Sequence, residues 1–117
     1  MTRHPKGRFG DKINIPQGTL DLLILTIVRR EPSHGYGISQ RLKTLTKGTF
    51  RINPGSLFPA LYALERDGKL RCEERQSENN RKARYYTLTA QGRKQLEREE
   101  QRWERVTNAI DNVLAGA

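Results

Sequence analysis

Asn53-Pro54-Gly55-Ser56-Leu57-Phe58-Pro59-Ala60-Leu61-Tyr62-Ala63-Leu64-Glu65-Arg66-Asp67-Gly68 is the stretch on which the fold turns. Asn53 and Ser56 are both side chains that cap a helix N-terminus, and Pro54 suits a first helical position. Leu57, Leu61 and Leu64 recur at helical spacing and predict one buried face, and Gly68 is a natural stop. Pro59 complicates this reading, because a proline well inside a helix removes a hydrogen bond and kinks the axis. The expectation is therefore a start near Ser56, or a local bend.

Upstream, Ile38, Leu42 and Leu45 give a short helix an inward stripe, with Arg41 and Lys43 outward and Gly48 ending it. His34-Gly35-Tyr36-Gly37 reads as the turn before it. Between Pro16 and Pro32, residues 17–30 form a helix with two apolar faces. Leu20, Leu23, Ile24, Ile27 and Val28 make the first, and Leu22 and Leu25 the second, available to a partner chain. Residues 1–14 show no period and read as a flexible basic arm.

Downstream, residues 70–75 and 84–88 read as two strands, and Ser77 to Lys82 between them carries turn residues. Thr89 caps a long helix running to about Leu114. Leu96, Trp103 and Ile110 recur every seven residues on it, with Val106 and Val113 interleaved, a coiled-coil-like seam broken at Glu99. Three helices, a hairpin and a long helix predict a mainly α (α+β) chain. Residues 15–89 form a winged helix-turn-helix and residues 90–115 a dimerisation helix. In such a fold the third helix enters the major groove, and a basic wing reaches the phosphates beside it.

Charge agrees. The 117 residues hold 22 Lys and Arg against 13 Asp and Glu, a net +9. Residues 1–12, 13–68 and 69–88 each carry +3, and residues 89–117 carry five charges of each sign. A basic half beside a neutral, amphipathic one points to nucleic acid at one end and self-association at the other. No apolar run approaches the roughly 18 residues that span a membrane, and the start lacks the apolar core of a secretory signal. One cysteine, Cys72, forms no internal disulfide and fits a cytoplasmic protein, either as a half-buried strand residue or as a redox sensor. His4 and His34 are the only histidines, and neither has the spaced partners of a metal site or a catalytic triad. No enzyme and no cofactor are expected.

Gly18-Thr19-Leu20-Asp21-Leu22-Leu23-Ile24-Leu25, His34-Gly35-Tyr36-Gly37-Ile38, Asn53 to Leu61 with Leu64-Glu65-Arg66-Asp67-Gly68, and Arg84-Tyr85-Tyr86-Thr87-Leu88-Thr89-Ala90-Gln91-Gly92 together resemble the PadR family of bacterial transcriptional regulators. The single C-terminal helix is similar to the family's short-tailed subgroup. The resemblance implies a homodimeric, ligand-responsive repressor on a palindromic operator, and it places Pro59 within the recognition helix. The alternative is a non-specific or architectural nucleic-acid-binding winged helix. Phe58 stands where the family usually has Tyr, and Asn79-Asn80 and Ala83 depart from its wing.

On this resemblance Tyr36 is a backbone-contacting aromatic, or else a core plug. Asn53, Ser56 and Tyr62 are candidates for the groove, Lys43 flanks it, and Arg81, Lys82 and Arg84 are the wing's phosphate contacts. Leu22, Leu25, Leu96, Trp103, Val106, Ile110 and Val113 are candidates for the dimer interface. Trp103, facing its symmetry mate, is the candidate for binding a planar aromatic or phenolic effector, because paired indoles stack flat ligands. Of Tyr85 and Tyr86, strand alternation sends one inward and one outward.

Overall fold

The structure is a computed structural model that describes residues 12–16, 18–76 and 78–116. Nine elements follow in order: β1 (Ile13–Asn14), α1 (Leu20–Arg30), β2 (Ser33–His34), α2 (Gly35–Leu45), β3 (Phe50–Arg51), α3 (Pro54–Arg66), β4 (Leu70–Gln76), β5 (Lys82–Leu88) and α4 (Ala90–Gly116). The α+β class and the winged-helix order are as the sequence implied.

The core lies where α1, α2 and α3 meet the inner face of the wing. Ile24, Leu25, Ile27, Val28, Ile38, Leu42, Leu57, Leu61, Leu64, Leu70, Tyr86, Leu88 and Leu96 form one buried cluster. Burying each such side chain stabilises the fold by about 2 kcal/mol. Helix α1 touches α2, α3, α4 and β5, so neighbours of its own chain cover both of its apolar faces. This overturns the expectation for Leu25, which is fully buried and unavailable to a partner. Leu22 is half-buried and packs against the same core. Leu45, expected to point inward, is 58% exposed, because the core ends at Leu42.

Helix α3 begins at Pro54 and not near Ser56. Asn53 caps it, its side-chain oxygen accepting the Gly55 N–H at 2.8 Å. Pro59 lies inside the helix on its exposed side. The Gly55 carbonyl that Pro59 leaves without a donor is on exposed chain, open to solvent. The remaining penalty, of order 3 kcal/mol for an interior proline, is offset by the cap and by the burial of Leu57, Leu61 and Leu64.

Strands β4 and β5 pair antiparallel from Leu70↔Leu88 to Gln76↔Lys82. Asn80 at the tip has φ 65°, a left-handed conformation that asparagine tolerates. Alternation along β5 divides the tyrosines, Tyr86 buried and Tyr85 half-exposed. Two pairings were not foreseen. Strand β2 adds to the far edge of β5, pairing Ser33 with Tyr86 and His34 with Tyr85. Strand β1 pairs parallel with β3, so the chain before residue 15 is tied at Ile13 and Asn14 to the connection leading into α3. The other residues of the expected arm, up to Asp11, lie outside the described residues.

Thr89 caps α4 as expected, its hydroxyl accepting the Gly92 N–H at 3.0 Å and donating to the Gly68 carbonyl at 2.6 Å. Only Gly92 and Leu96 of α4 are buried. Helix α4 then leaves the body, and residues 101–116 are exposed apart from half-buried Thr107. The radius of gyration is 16.2 Å, against about 13 Å for a compact chain of this length. Among the described residues no helix is long and apolar enough to cross a membrane.

Candidate nucleic-acid interface

The His34-Gly35-Tyr36-Gly37 segment is a helix start and not a free-standing turn. His34 is the N-cap of α2, and its Nδ1 accepts the Gly37 N–H at 2.9 Å. With Nδ1 an acceptor, the proton of the neutral ring sits on Nε2. Both glycines make room for neighbouring rings, Gly35 more stringently than Gly37. A Cβ on Gly35 would drive into the Phe58 ring, and one on Gly37 would press on the imidazole of His34 at 3.3–3.4 Å. The tight start of α2 thus seats Phe58 and His34 and leaves Tyr36 69% exposed. Tyr36 is no core plug.

Tyr36, Phe58, Tyr62, Arg81, Lys82 and Arg84 line one open groove of about 390 Å³ between the start of α2, the middle of α3 and the wing. Tyr62 is 53% exposed, and Arg81 and Lys82 are exposed at the wing's tip. Aromatic faces beside cations suit a phosphate backbone and its sugars. Asn53 and Ser56 face a second hollow at the start of α3, together with Arg51. Asn53 fulfils the capping role and remains exposed. Ser56 does not cap, and its side chain is open to solvent. Lys43 is exposed in the last turn of α2 and lines neither hollow.

Arg84 differs from its neighbours. Its Nη2 donates to Glu65 Oε1 of α3 at 2.7 Å. The Tyr86 hydroxyl and the Glu65 carboxylate hold its guanidinium more firmly protonated than usual. The Tyr86 phenol is itself pushed up by burial, with Arg84 opposing. Arg84 is thus half committed inside the molecule.

The other end of the chain is chemically distinct. Trp103 is 40% exposed, Val106 38%, Ile110 50% and Val113 66%. Leu96, by contrast, is 1% exposed in the chain's own core, so its expected place at a dimer interface is corrected. The break at Glu99 has a local cause. Its side chain tucks against the body, accepting from Gln95 Nε2 at 2.8 Å and pairing with Arg102 at 3.5 Å, while Arg102 also donates to the Gly18 carbonyl at 2.8 Å. Cys72 is half-buried, and burial pushes its thiol up, the opposite of a reactive sensor. Among the described residues no cluster of three or more His, Cys, Asp or Glu could hold a metal.

The PadR-like family profile matches residues 24–98, most of the winged helix and the start of α4. The chain belongs to the PadR-like transcriptional regulator family. It is 30% identical over 115 residues to the transcriptional regulator YqjI of Escherichia coli, covering 98% of this chain and 54% of that protein. The chain therefore spans about half the length of that relative. A PadR-like transcriptional regulator from Bacillus cereus shares the fold with a TM-score of 0.75 and 29% identity over 86% of this chain and 96% of that one. A crystal structure from Streptococcus mutans gives a TM-score of 0.74 at 33% identity, over 83% and 87%. PadR-like regulators are DNA-binding proteins and not enzymes, and they are typically dimeric.

Sequence reasoning missed three residues of this surface. Arg51 was not singled out, although it stands two residues before Asn53, the cap of α3. The capping role of His34 was missed, although a histidine three residues before a glycine N–H is a capping geometry. Glu65 was invisible as a partner, because its pairing with Arg84 spans 19 residues.

Proposed function

We propose that this PadR-like regulator is a cytoplasmic homodimer that represses transcription from a palindromic operator and is released by a planar aromatic or phenolic effector. The observation that carries this reading is the contrast between the aromatic and basic groove and α4, whose Trp103, Val106, Ile110 and Val113 are 38–66% exposed. A two-fold pairing through those residues would bury them and present two α3 helices to one duplex, about 34 Å apart for half-sites one helical turn apart. Tyr36 and Tyr62 would contact the backbone and groove, Asn53 and Ser56 the bases at the start of α3, Arg81 and Lys82 the phosphates beside it, and Lys43 the flank.

Trp103 would meet its mate across the axis and stack a flat ligand, and a ligand favouring a different spacing of the α3 helices would lower operator affinity. Selection of bound duplexes from a random pool at physiological salt tests the reading. A palindrome preferred by about a thousandfold or more over bulk DNA supports it, and uniform binding establishes the architectural alternative. Because Trp103 is the only tryptophan, its fluorescence reports on that position alone. Planar aromatic cations and phenolic acids should quench it at the concentrations that release the duplex.

A further inference from the structure

The side chain of Arg84 lines the same groove as Arg81 and Lys82, but there it is already paired with Glu65 of α3. Along β5 the residues Lys82, Arg84, Tyr86 and Leu88 share one face, since strand side chains alternate. Tyr86 is 2% and Leu88 8% exposed, so this is the face turned toward the helices. Arg84 lies at its rim, where the buried stripe of α3 ends. There Glu65, one residue after buried Leu64 and four after buried Leu61, meets it at 2.7 Å, with Tyr86 on the same face two residues on. Glu74 lies opposite Arg84 in the β4–β5 register, while the guanidinium itself pairs with Glu65. The contact joins the wing to the helix that reads DNA, and it does so beyond the last apolar contact that could fix the wing.

We propose that Arg84 is a positioning residue and not a phosphate contact: its ion pair with Glu65 fixes the wing relative to α3, so that Arg81 and Lys82 reach the phosphates beside the groove that α3 enters. The inference rests on the DNA-binding reading above. It also separates cations that look alike in sequence. Arg81 and Lys82 are exposed at the tip and act on DNA, whereas Arg84 acts through Glu65.

The two roles predict opposite signs. Binding of the duplex recovered by selection is measured across a salt series for the native chain, Glu65→Gln, Arg84→Met, Arg81→Met and the exchanged pair Glu65→Arg/Arg84→Glu, with thermal melting to confirm folding. Glu65→Gln and Arg84→Met should each weaken binding about fivefold, in keeping with a half-exposed ion pair, at an unchanged salt slope. The exchanged pair should return to within about twofold of native, the margin for additive effects. Arg81→Met should lower the salt slope by about 0.9.

The proposal is overturned if Glu65→Gln tightens binding or leaves it unchanged, or if Arg84→Met lowers the slope by that same step. A second readout needs no DNA. With Cys72→Ser as background, spin labels at Asn79→Cys and Arg66→Cys, diluted with unlabelled chain, should give a distance distribution that broadens with Glu65→Gln and narrows again in the exchanged pair. An unchanged width contradicts the proposal even if the native chain selects no duplex, an outcome that would sink the DNA reading separately.

Discussion

The winged-helix body and the distal half of α4 solve opposite problems. In the body, α1 is covered on every apolar side by α2, α3, β5 and α4, and the backbone ends are capped by His34, Asn53 and Thr89. Beyond Leu96 the same chain continues as a helix whose large apolar residues stay 38–73% exposed. A side chain inside the body is held by many neighbours, and its loss leaves a cavity. A side chain on distal α4 gains only when something else arrives. The comparison teaches that apolar spacing on a helix marks a surface to be covered and says nothing of what covers it. Leu22, Leu25 and Leu96 look like interface residues by spacing and belong wholly or partly to the body.

The sharpest way to break this contrast is to delete apolar bulk at both ends. Leu61→Ala should cost about 2–5 kcal/mol in urea unfolding, as cavities in packed cores do. Val113→Ala, measured at dilutions where the chain is monomeric, should stay within about 0.5 kcal/mol. A comparable loss from Val113→Ala would mean that distal α4 packs on its own body.

Next in size is a charge on the exposed stripe. Ile110→Asp should move the sedimentation coefficient to that of a monomer while far-UV circular dichroism keeps its helix content, because a buried, unpaired carboxylate opposes pairing. Retention of a dimer would remove Ile110 from the interface.

On the body's outer surface, replacing Arg81 and Lys82 together by Ala should lower the slope of log affinity against log salt by about 1.8, at 0.9 for each phosphate contact, with melting unchanged. The smallest effect concerns the joint between the two regions. Burial, with Glu99 and Asp67 adding, raises the Asp21 carboxyl above its ordinary 3.8. The folded state then binds this proton more tightly than the unfolded one. The Asp21 charge therefore opposes folding above that pH, and the opposition vanishes as the pH falls below 3.8. Asp21→Asn should raise the melting temperature slightly at pH 7 and leave it unchanged at pH 3. A gain of equal size at both pH values would contradict the burial argument.

Much of this was legible from residue order. The helix order, the hairpin and the long final helix follow from spacing, caps and glycines. The family motifs placed Pro59 within α3, where the structure has it, whereas propensity alone would have put it near the start. What spacing could not supply was anything decided across the fold. Strand β2 is two residues long and exists only because β5 offers an edge, and β1 likewise depends on β3. The site divides in the same way. Tyr36, Tyr62, Arg81 and Lys82 come together in one groove, whereas Lys43 stands apart. Arg84 was grouped with the wing's cations because the partner that claims it, Glu65, lies on another element. Period-two alternation from Tyr86 puts Lys82 on the same face, so no spacing in the sequence separates Arg84 from it.

We propose that one end of the chain meets DNA and the other a copy of itself. The mass of the complex with a selected duplex, measured by light scattering during size-exclusion chromatography, tests both halves at once. The account predicts two chains per duplex for the native protein, one chain per duplex at much reduced affinity for Ile110→Asp, and half-site centres about one helical turn apart. A native complex holding a single chain, bound as tightly to unrelated duplexes as to the selected one, would contradict it.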